Sequence, residues 1–319
     1  MARPLRVVSD FNKTFVGSHG RPIAVCEITT RTTQGRFLLK PTQRCRDLVL
    51  GVLGRAQSLL EFELYGYAYL SNHGSLLVGV ESAHQLSKLI CYINSNIARE
   101  LGRKEHSDWQ ETFWGRRARV IPILLEKDLI ERMRYLLANS TKEHLVRHPT
   151  RWPGAHCARV LCEGTVDQGV WIDRSLLYLS GYSIPESEAT TIYPVALQRL
   201  PSLSHLSTIQ YQAYIQAVCD EVAKEAADER RLTGGRVEGV RRILRRSPHH
   251  KPRVIAKSPA PLVHCSEVKT MAWFKAQYRL FVEAYRAAFQ NLQARVLCST
   301  SAFPEGCVAP TTSYLSAGY

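Results

Sequence analysis

Three places in the 319-residue chain carry residues whose types and spacing could do chemistry. The first is Asn72-His73-Gly74-Ser75, a polar knot that runs straight into the apolar stretch Leu76-Leu77-Val78. On an extended strand residues i and i+2 share a face, so His73 and Ser75 point one way and Leu76 and Val78 the other. An imidazole there could hold a metal or move a proton; a histidine that merely opens a strand is the competing account. The second place is Tyr135 with Asn139. At about 100° per residue, Leu129, Ile130, Met133, Leu136 and Leu137 gather on one side of a helix. Tyr135 falls on the polar side with Asp128, Arg132 and Asn139, one turn from that amide. The third is the run from Asp228 to Lys257, with ten basic residues against three acidic ones, a net +7. Such a run suits an acidic partner; a solvated helix face is the plainer alternative.

The elements that must position these groups follow from periodicity. Ile23 to Thr30 is β-branched and reads as a strand. Asp47 to Leu60 has helical apolar spacing. Phe62–Leu70 and Ser75–Val80 read as strands, Ala83–Gly102 as a helix. Phe113–Leu125 contains a strand and Glu126–Val146 a helix. The order β-α-β-β-α-β, then α, predicts an α+β fold: a ferredoxin-like split βαβ unit with an antiparallel sheet. Trp152-Pro153-Gly154 closes that unit. We read residues 1–155 as one domain, with residues 1–20 a loosely held lead-in. Residues 156–204 read as a connecting segment and 205–319 as a helical, basic region. In the last, Ser207–Leu232 and Val237–Arg246 are helices separated by Gly234-Gly235, which is compatible with a helix-turn-helix. The aromatic residues of a final helix, Glu267–Leu297, read as core, and the tail after Ala302 as extended and poorly ordered.

Composition narrows the partners. The chain carries a net charge of +14 with a pI near 9.5. That favours nucleic acid first and a membrane surface second. No apolar run approaches the ~20 residues of a spanning helix, and no signal peptide opens the sequence. A cytoplasmic protein is expected. The nine cysteines are scattered and no Cys-x-x-Cys occurs. Neither a disulfide framework nor a structural zinc is expected.

The first 155 residues resemble the single-tyrosine transposases of the HUH class, nearest the REP-associated tyrosine transposases. Ser71-Asn72-His73-Gly74-Ser75-Leu76-Leu77-Val78 is similar to the family's Asn-His-x-His-Leu-Leu strand. Phe113-Trp114-Gly115-Arg116-Arg117 is similar to its aromatic-Gly-Arg stretch. Tyr135-Leu-Leu-Ala-Asn139, followed by Trp152-Pro153, is similar to its Tyr-Ile-x-x-Asn helix and the Trp-Pro after it. The resemblance implies that Tyr135 attacks a phosphodiester and becomes linked to a 5′ phosphate. It also implies that His73 and Asn139 hold Mg²⁺ or Mn²⁺, which polarises that phosphodiester. The implied substrate is single-stranded or hairpin DNA. Arg116, Arg117, Arg241, Arg242, Arg245, Arg246, Lys251 and Arg253 are the candidate DNA contacts.

The second histidine of the family's strand is Ser75 here. A hydroxyl is a poorer ligand than an imidazole, and even outer-shell changes at metal sites cost ~10- to 100-fold. The expectation is a weakened or absent nickase in a chain that still binds DNA. Three readings follow: a transposase-like nickase and strand-transfer enzyme, a non-catalytic DNA-binding protein derived from one, and an RNA-binding protein on the same fold.

Overall fold

The computed structural model describes residues 6–102, 111–250, 252, 260–294 and 302–310. Within them a central sheet is built from β1 (Phe15–Val16), β2 (Pro22–Arg31), β3 (Glu63–Leu70), β4 (His73–Val80) and β5 (Arg119–Ile123). Helix α1 (Gln43–Leu59) joins β2 to β3, α2 (Ala83–Glu100) joins β4 towards β5, and α3 (Glu126–Lys142) follows β5. All pairings are antiparallel, with β2 lying between β4 and β5, and β3 outside β4. This is the strand order of the split βαβ unit, because each crossover leaves a gap that the second hairpin strand fills. The α+β expectation therefore holds, and the sequence periodicities locate its strands and helices.

Both sheet edges are covered rather than left open to other chains. Beyond β5, His264 donates its N–H to the Pro122 carbonyl at 2.9 Å, and Leu124 donates to the His264 carbonyl at 3.2 Å. Beyond β3, Tyr69 donates to the Ala155 carbonyl at 2.8 Å and Cys157 to the Tyr67 carbonyl at 2.9 Å.

The stretch that sequence suggested as a connector has structure of its own. It carries α4 (Ala158–Glu163), β6 (Asp167–Ile172), α5 (Arg174–Leu179) and β7 (Thr190–Val195). β6 and β7 pair as an antiparallel two-stranded sheet laid against α1. Glycines permit this contact. A Cβ on Gly51 would lie 2.0 Å from the Val170 carbonyl oxygen, and one on Gly169 would lie 1.9 Å from the Gly51 nitrogen. A buried carboxylate pins the layer: Asp167 accepts from the Tyr67 hydroxyl and from the Arg46 guanidinium.

The C-terminal part holds α6 (Thr208–Thr233), α7 (Val240–Arg245) and α8 (Val268–Gln293). α6 starts with a capping box between Ser207 and Gln210 and ends at Gly234 with φ 67°, the left-handed conformation glycine tolerates best. Its buried stripe, Tyr211, Ile215, Cys219, Val222 and Ala226, faces α3 and α4. Where a helix-turn-helix was compatible with the sequence, α7 is only six residues long and docks through Ile243 against Leu70, Val146 and Trp152. The aromatic residues Phe274, Phe281 and Tyr285 of α8 are core, as expected. The described parts of the lead-in and of the tail, residues 6–20 and 302–310, are packed rather than loose, while residues 1–5 and 311–319 lie outside the described residues. Phe11 packs edge-on against Phe274 at 5.6 Å, Phe303 packs on Tyr285 at 5.2 Å, and Val8 donates to the Gly306 carbonyl at 2.9 Å. Among the described residues no helix is long and apolar enough to cross a membrane.

Candidate nucleic-acid interface

β4 begins at His73 because the Leu-Leu-Val-Gly-Val run behind it alternates between two buried layers. The register sets His73 opposite Arg31 of β2 and Leu70 of β3, and Ser75 opposite Thr29 and Ala68. His73, Ser75 and Leu77 share one face. That face is covered by α3, since a Cβ on Gly66, which pairs with Leu77, would lie 3.2 Å from the Met133 methyl of α3. The shared face expected of His73 and Ser75 is thus present, and it is turned towards the tyrosine helix.

His73 is half-buried at one end of this face. Its Nδ1 lies 2.8 Å from the Asn72 side-chain oxygen. An amide oxygen only accepts, so Nδ1 carries the proton and Nε2 keeps a lone pair. Burial, with the Arg31 charge adding to it, pushes the His73 pKa down to about 4. The ring is therefore neutral at pH 7.

Around His73 opens a cavity of about 660 Å³. Its walls come from five separate stretches: Arg31, Thr32 and Phe37 at and after the end of β2; Leu70, Ser71 and Asn72; Gly115 and Arg116; Glu143 and Leu145; and Glu238, Ile243 and Arg246 around α7. α7 is held at the rim by main-chain bonds, from the Glu238 N–H to the His144 carbonyl at 2.8 Å and from the Gly239 N–H to the Leu145 carbonyl at 3.0 Å. Arg246 is ion-paired to Glu238 and stands 5.5 Å from the Phe37 ring centre. Arg241, Arg242 and Arg245 are exposed on the outer side of α7, and Arg116 and Arg117 are exposed beside Gly115. Two sequence candidates, Lys251 and Arg253, lie outside the described residues.

Tyr135 is 39% exposed, on the polar side of α3 where its spacing put it. Arg132 lies over its ring at 4.1 Å, and Lys142 approaches at 5.0 Å. The ring borders a different, smaller cavity of about 300 Å³ between α3 and α6, with Glu131, Arg134, Glu225 and Glu229 around it. Arg132 also bonds Glu27 of β2 at 3.1 Å, and Glu27 takes a second bond from His264 Nε2 at 2.7 Å. Burial would raise the Glu27 carboxyl, but the His264 hydrogen bond and the Arg132 charge outweigh it and hold it below its ordinary value.

The candidates thus fall into three groups. His73, Arg116 and Arg246 line one cavity, and Tyr135 lines another. Ser75 is buried beneath α3 at 3% exposure and Asn139 on the inner side of α3 itself at 5%, and neither lines either cavity. The Asn139 Nδ2 has no hydrogen-bond partner among the described residues. Sequence reasoning missed Arg31, Thr32, Phe37 and Glu143, whose place at the cavity depends on strand register and on the turn after α3.

The divalent ion implied by the resemblance meets a donor set that does not fit it. Mg²⁺ and Mn²⁺ favour carboxylate, carbonyl and water oxygens. Here an imidazole, an enclosed hydroxyl and a buried amide are the donors, with no carboxylate among them, and Arg31 pairs with His73 across the strands. Among the described residues no three His, Cys, Asp or Glu side chains gather as metal ligands.

No family model matches the chain, and no curated protein matches it. Two solved structures are similar in part. One is a REP-associated tyrosine transposase bound to a REP hairpin, 16% identical, matching 49% of this chain and 87% of that one with a TM-score of 0.37. The other is a protein provisionally named a transposase from Deinococcus radiodurans R1, 15% identical, matching 38% of this chain and 93% of that one with a TM-score of 0.29. Likeness at this level adds nothing to the site, which stands on its own geometry.

Proposed function

We propose that the chain is a transposase-like DNA-binding protein that grips single-stranded or hairpin DNA at the His73 cavity without cutting it. One observation carries this reading. Three stretches that are far apart in sequence, the Asn72-His73 strand start, Gly115-Arg116 and basic α7, meet around a single cavity. Arginines at its mouth can engage phosphates, and Asn72 and neutral His73 offer hydrogen bonds to a base edge. Phe37 offers a ring face for stacking. The divided positions of His73 and Tyr135 support binding over cleavage, because a nucleophile must reach the phosphate that the other groups hold.

Strand cleavage by Tyr135 is the second reading, and one observation favours it: the phenol is exposed with cations beside it. A labelled hairpin oligonucleotide, offered with and without Mn²⁺, separates the two. The binding reading expects a complex that survives Tyr135→Phe, weakens with Arg116→Ala, and never yields a protein–DNA adduct stable to denaturation. An adduct that vanishes with Tyr135→Phe would establish the cleavage reading instead. An RNA of the same sequence, used as competitor, decides the nature of the strand.

A further inference from the structure

Two cysteines that the DNA site does not use face each other across α4 and α6. The Sγ atoms of Cys162 and Cys219 are 3.8 Å apart, although 57 positions separate the residues in sequence. Neither Cys162 nor Cys219 is in a disulfide. We infer that Cys162 and Cys219 form a redox-active dithiol that hydroperoxides close to a disulfide, fastening α4 to α6.

The packing brings the pair together. α4 ends at Gly164 with φ 66°, and a Cβ there would lie 1.6 Å from the Gln212 side-chain nitrogen of α6. The left-handed turn at Gly164, which glycine adopts most readily, sets the end of α4 against the Gln212 side chain. Two turns further along α6, Cys219 lies on the same buried stripe as Ile215 and Val222. A disulfide needs its sulfurs about 2.05 Å apart. Closing from van der Waals contact requires side-chain rotation and a small helix adjustment rather than rearrangement of the fold.

The two thiols differ in the way such chemistry needs. Cys162 is partly exposed and Cys219 is buried. The hydrogen bond between the two thiols lowers the Cys162 pKa, and the same bond together with burial raises Cys219. Cys162 is thus the thiol that ionises and meets oxidant first. Its thiolate attacks one peroxide oxygen, the O–O bond breaks, and hydroxide leaves and takes a proton, giving a sulfenic acid. Cys219, losing its proton, attacks that sulfur; the S–O bond breaks and a second water leaves. Overall two thiols and one hydroperoxide give one disulfide, one water and one alcohol, or two waters from hydrogen peroxide.

The link would matter because α6 also carries Val222, Glu225 and Glu229, which wall the groove beside Tyr135. The test is hydrogen peroxide at equimolar and tenfold levels on the full chain, followed by alkylation and peptide mapping. The expected product is one cross-linked peptide pair, Cys162 to Cys219, lighter by two hydrogens, with Cys91 still alkylated. The oxidised chain should then unfold at a higher temperature than the reduced chain, and reduction should reverse the shift. In Cys219→Ala, Cys162 should be trapped as a dimedone adduct. Alkylation of Cys162 unchanged by peroxide, pairing of Cys162 with Cys157 instead, or exposed Cys91 reacting first would each overturn the inference. The wild-type map decides the matter even if the variant folds poorly.

Discussion

The guanidinium carbon of Arg132 lies 4.1 Å from the centre of the Tyr135 ring, and the same guanidinium bonds buried Glu27 at 3.1 Å. One cation therefore joins the candidate nucleophile on α3 to a carboxylate in the sheet. The ring supplies its face to Arg132, which tightens the cation's hold on Glu27 by ~0.5–1 kcal/mol at a part-exposed site. Removing the cation strands the carboxylate with only His264. Arg132→Ala should cost ~2–3 kcal/mol in urea unfolding. Tyr135→Phe keeps the ring face and should change stability by less than ~0.5 kcal/mol. A large loss from Tyr135→Phe would show that the hydroxyl, not the ring, is the structural contribution.

Stability should fall on mild acidification because of two histidines. Burial drives both His73 and His156 down to about 4, with the Arg31 charge adding to the effect at His73. An unfolded histidine titrates near 6.5. Between those values the unfolded chain binds more protons than the folded one. The stability is thus fully present above pH 6.5 and drains away as the pH falls towards 4. Each group could contribute on the order of 2 kcal/mol across that window. His73→Gln should flatten the curve of unfolding free energy against pH between 6.5 and 4. A slope unchanged in that variant would mean that His73 is not held neutral.

How far the fold could be read from sequence depended on the length of each pattern. β2, β3, β4 and the helices α1, α2, α3, α6 and α8 carry enough turns or alternations to declare themselves. The layer of β6 and β7 on α1 does not, because its elements are six residues long and punctuated by glycine and proline. What fixes it is Gly51 against Gly169, a contact between positions 118 apart. The cavity is similar. Arg31 matters only because register places it opposite His73, and α7 reaches the rim only through main-chain bonds to His144 and Leu145. Tyr135 is exposed on the side of α3 where its spacing puts it, but Asp128 and Asn139, expected on that same side, are buried, and helical angle alone does not say which cavity a side chain borders.

The glycine contact makes a quantitative prediction. A methyl on Gly51 would sit 2.0 Å from the Val170 carbonyl oxygen, a main-chain atom that cannot swing aside. Either β6 lifts from α1 or the helix bends. Gly51→Ala should therefore destabilise the fold by ~3 kcal/mol or more, despite alanine's better helix propensity. Chemical denaturation checks it, and a stabilised variant would mean that the β6–β7 layer is not seated on α1.

The arginines of α7 should not be equivalent in DNA binding. Arg241, Arg242 and Arg245 are exposed, whereas Arg246 is already paired with Glu238. Each phosphate contact on a single strand adds ~0.7 to the slope of log affinity against log salt. Arg241→Ala and Arg245→Ala should each lower that slope by about 0.7, and Arg246→Ala by less, since Arg246 is already partly neutralised by its ion pair with Glu238. Titrations of a hairpin oligonucleotide at several salt concentrations measure this directly. Equal slopes in all variants would remove α7 from the interface.

Ser75→His places a second imidazole on the His73 face of β4, and it tests whether a further ligand there would make the site cut DNA. The hydroxyl it replaces is 3% exposed, opposite Thr29 and Ala68 and beneath α3. An imidazole is several atoms larger than that hydroxyl. Overpacking of this kind typically costs ~1–3 kcal/mol, so the variant should unfold at lower urea. Its new ring would point at the covered face, while Tyr135 borders the groove by α6 and His73 borders the other cavity. A second imidazole does nothing to bring phenol and phosphate together. The variant should therefore bind the hairpin as the wild type does and form no covalent adduct with Mn²⁺ present. Tyr135-dependent cleavage by Ser75→His would show that the two cavities merge in the DNA complex, and that the chain is an enzyme lacking one ligand.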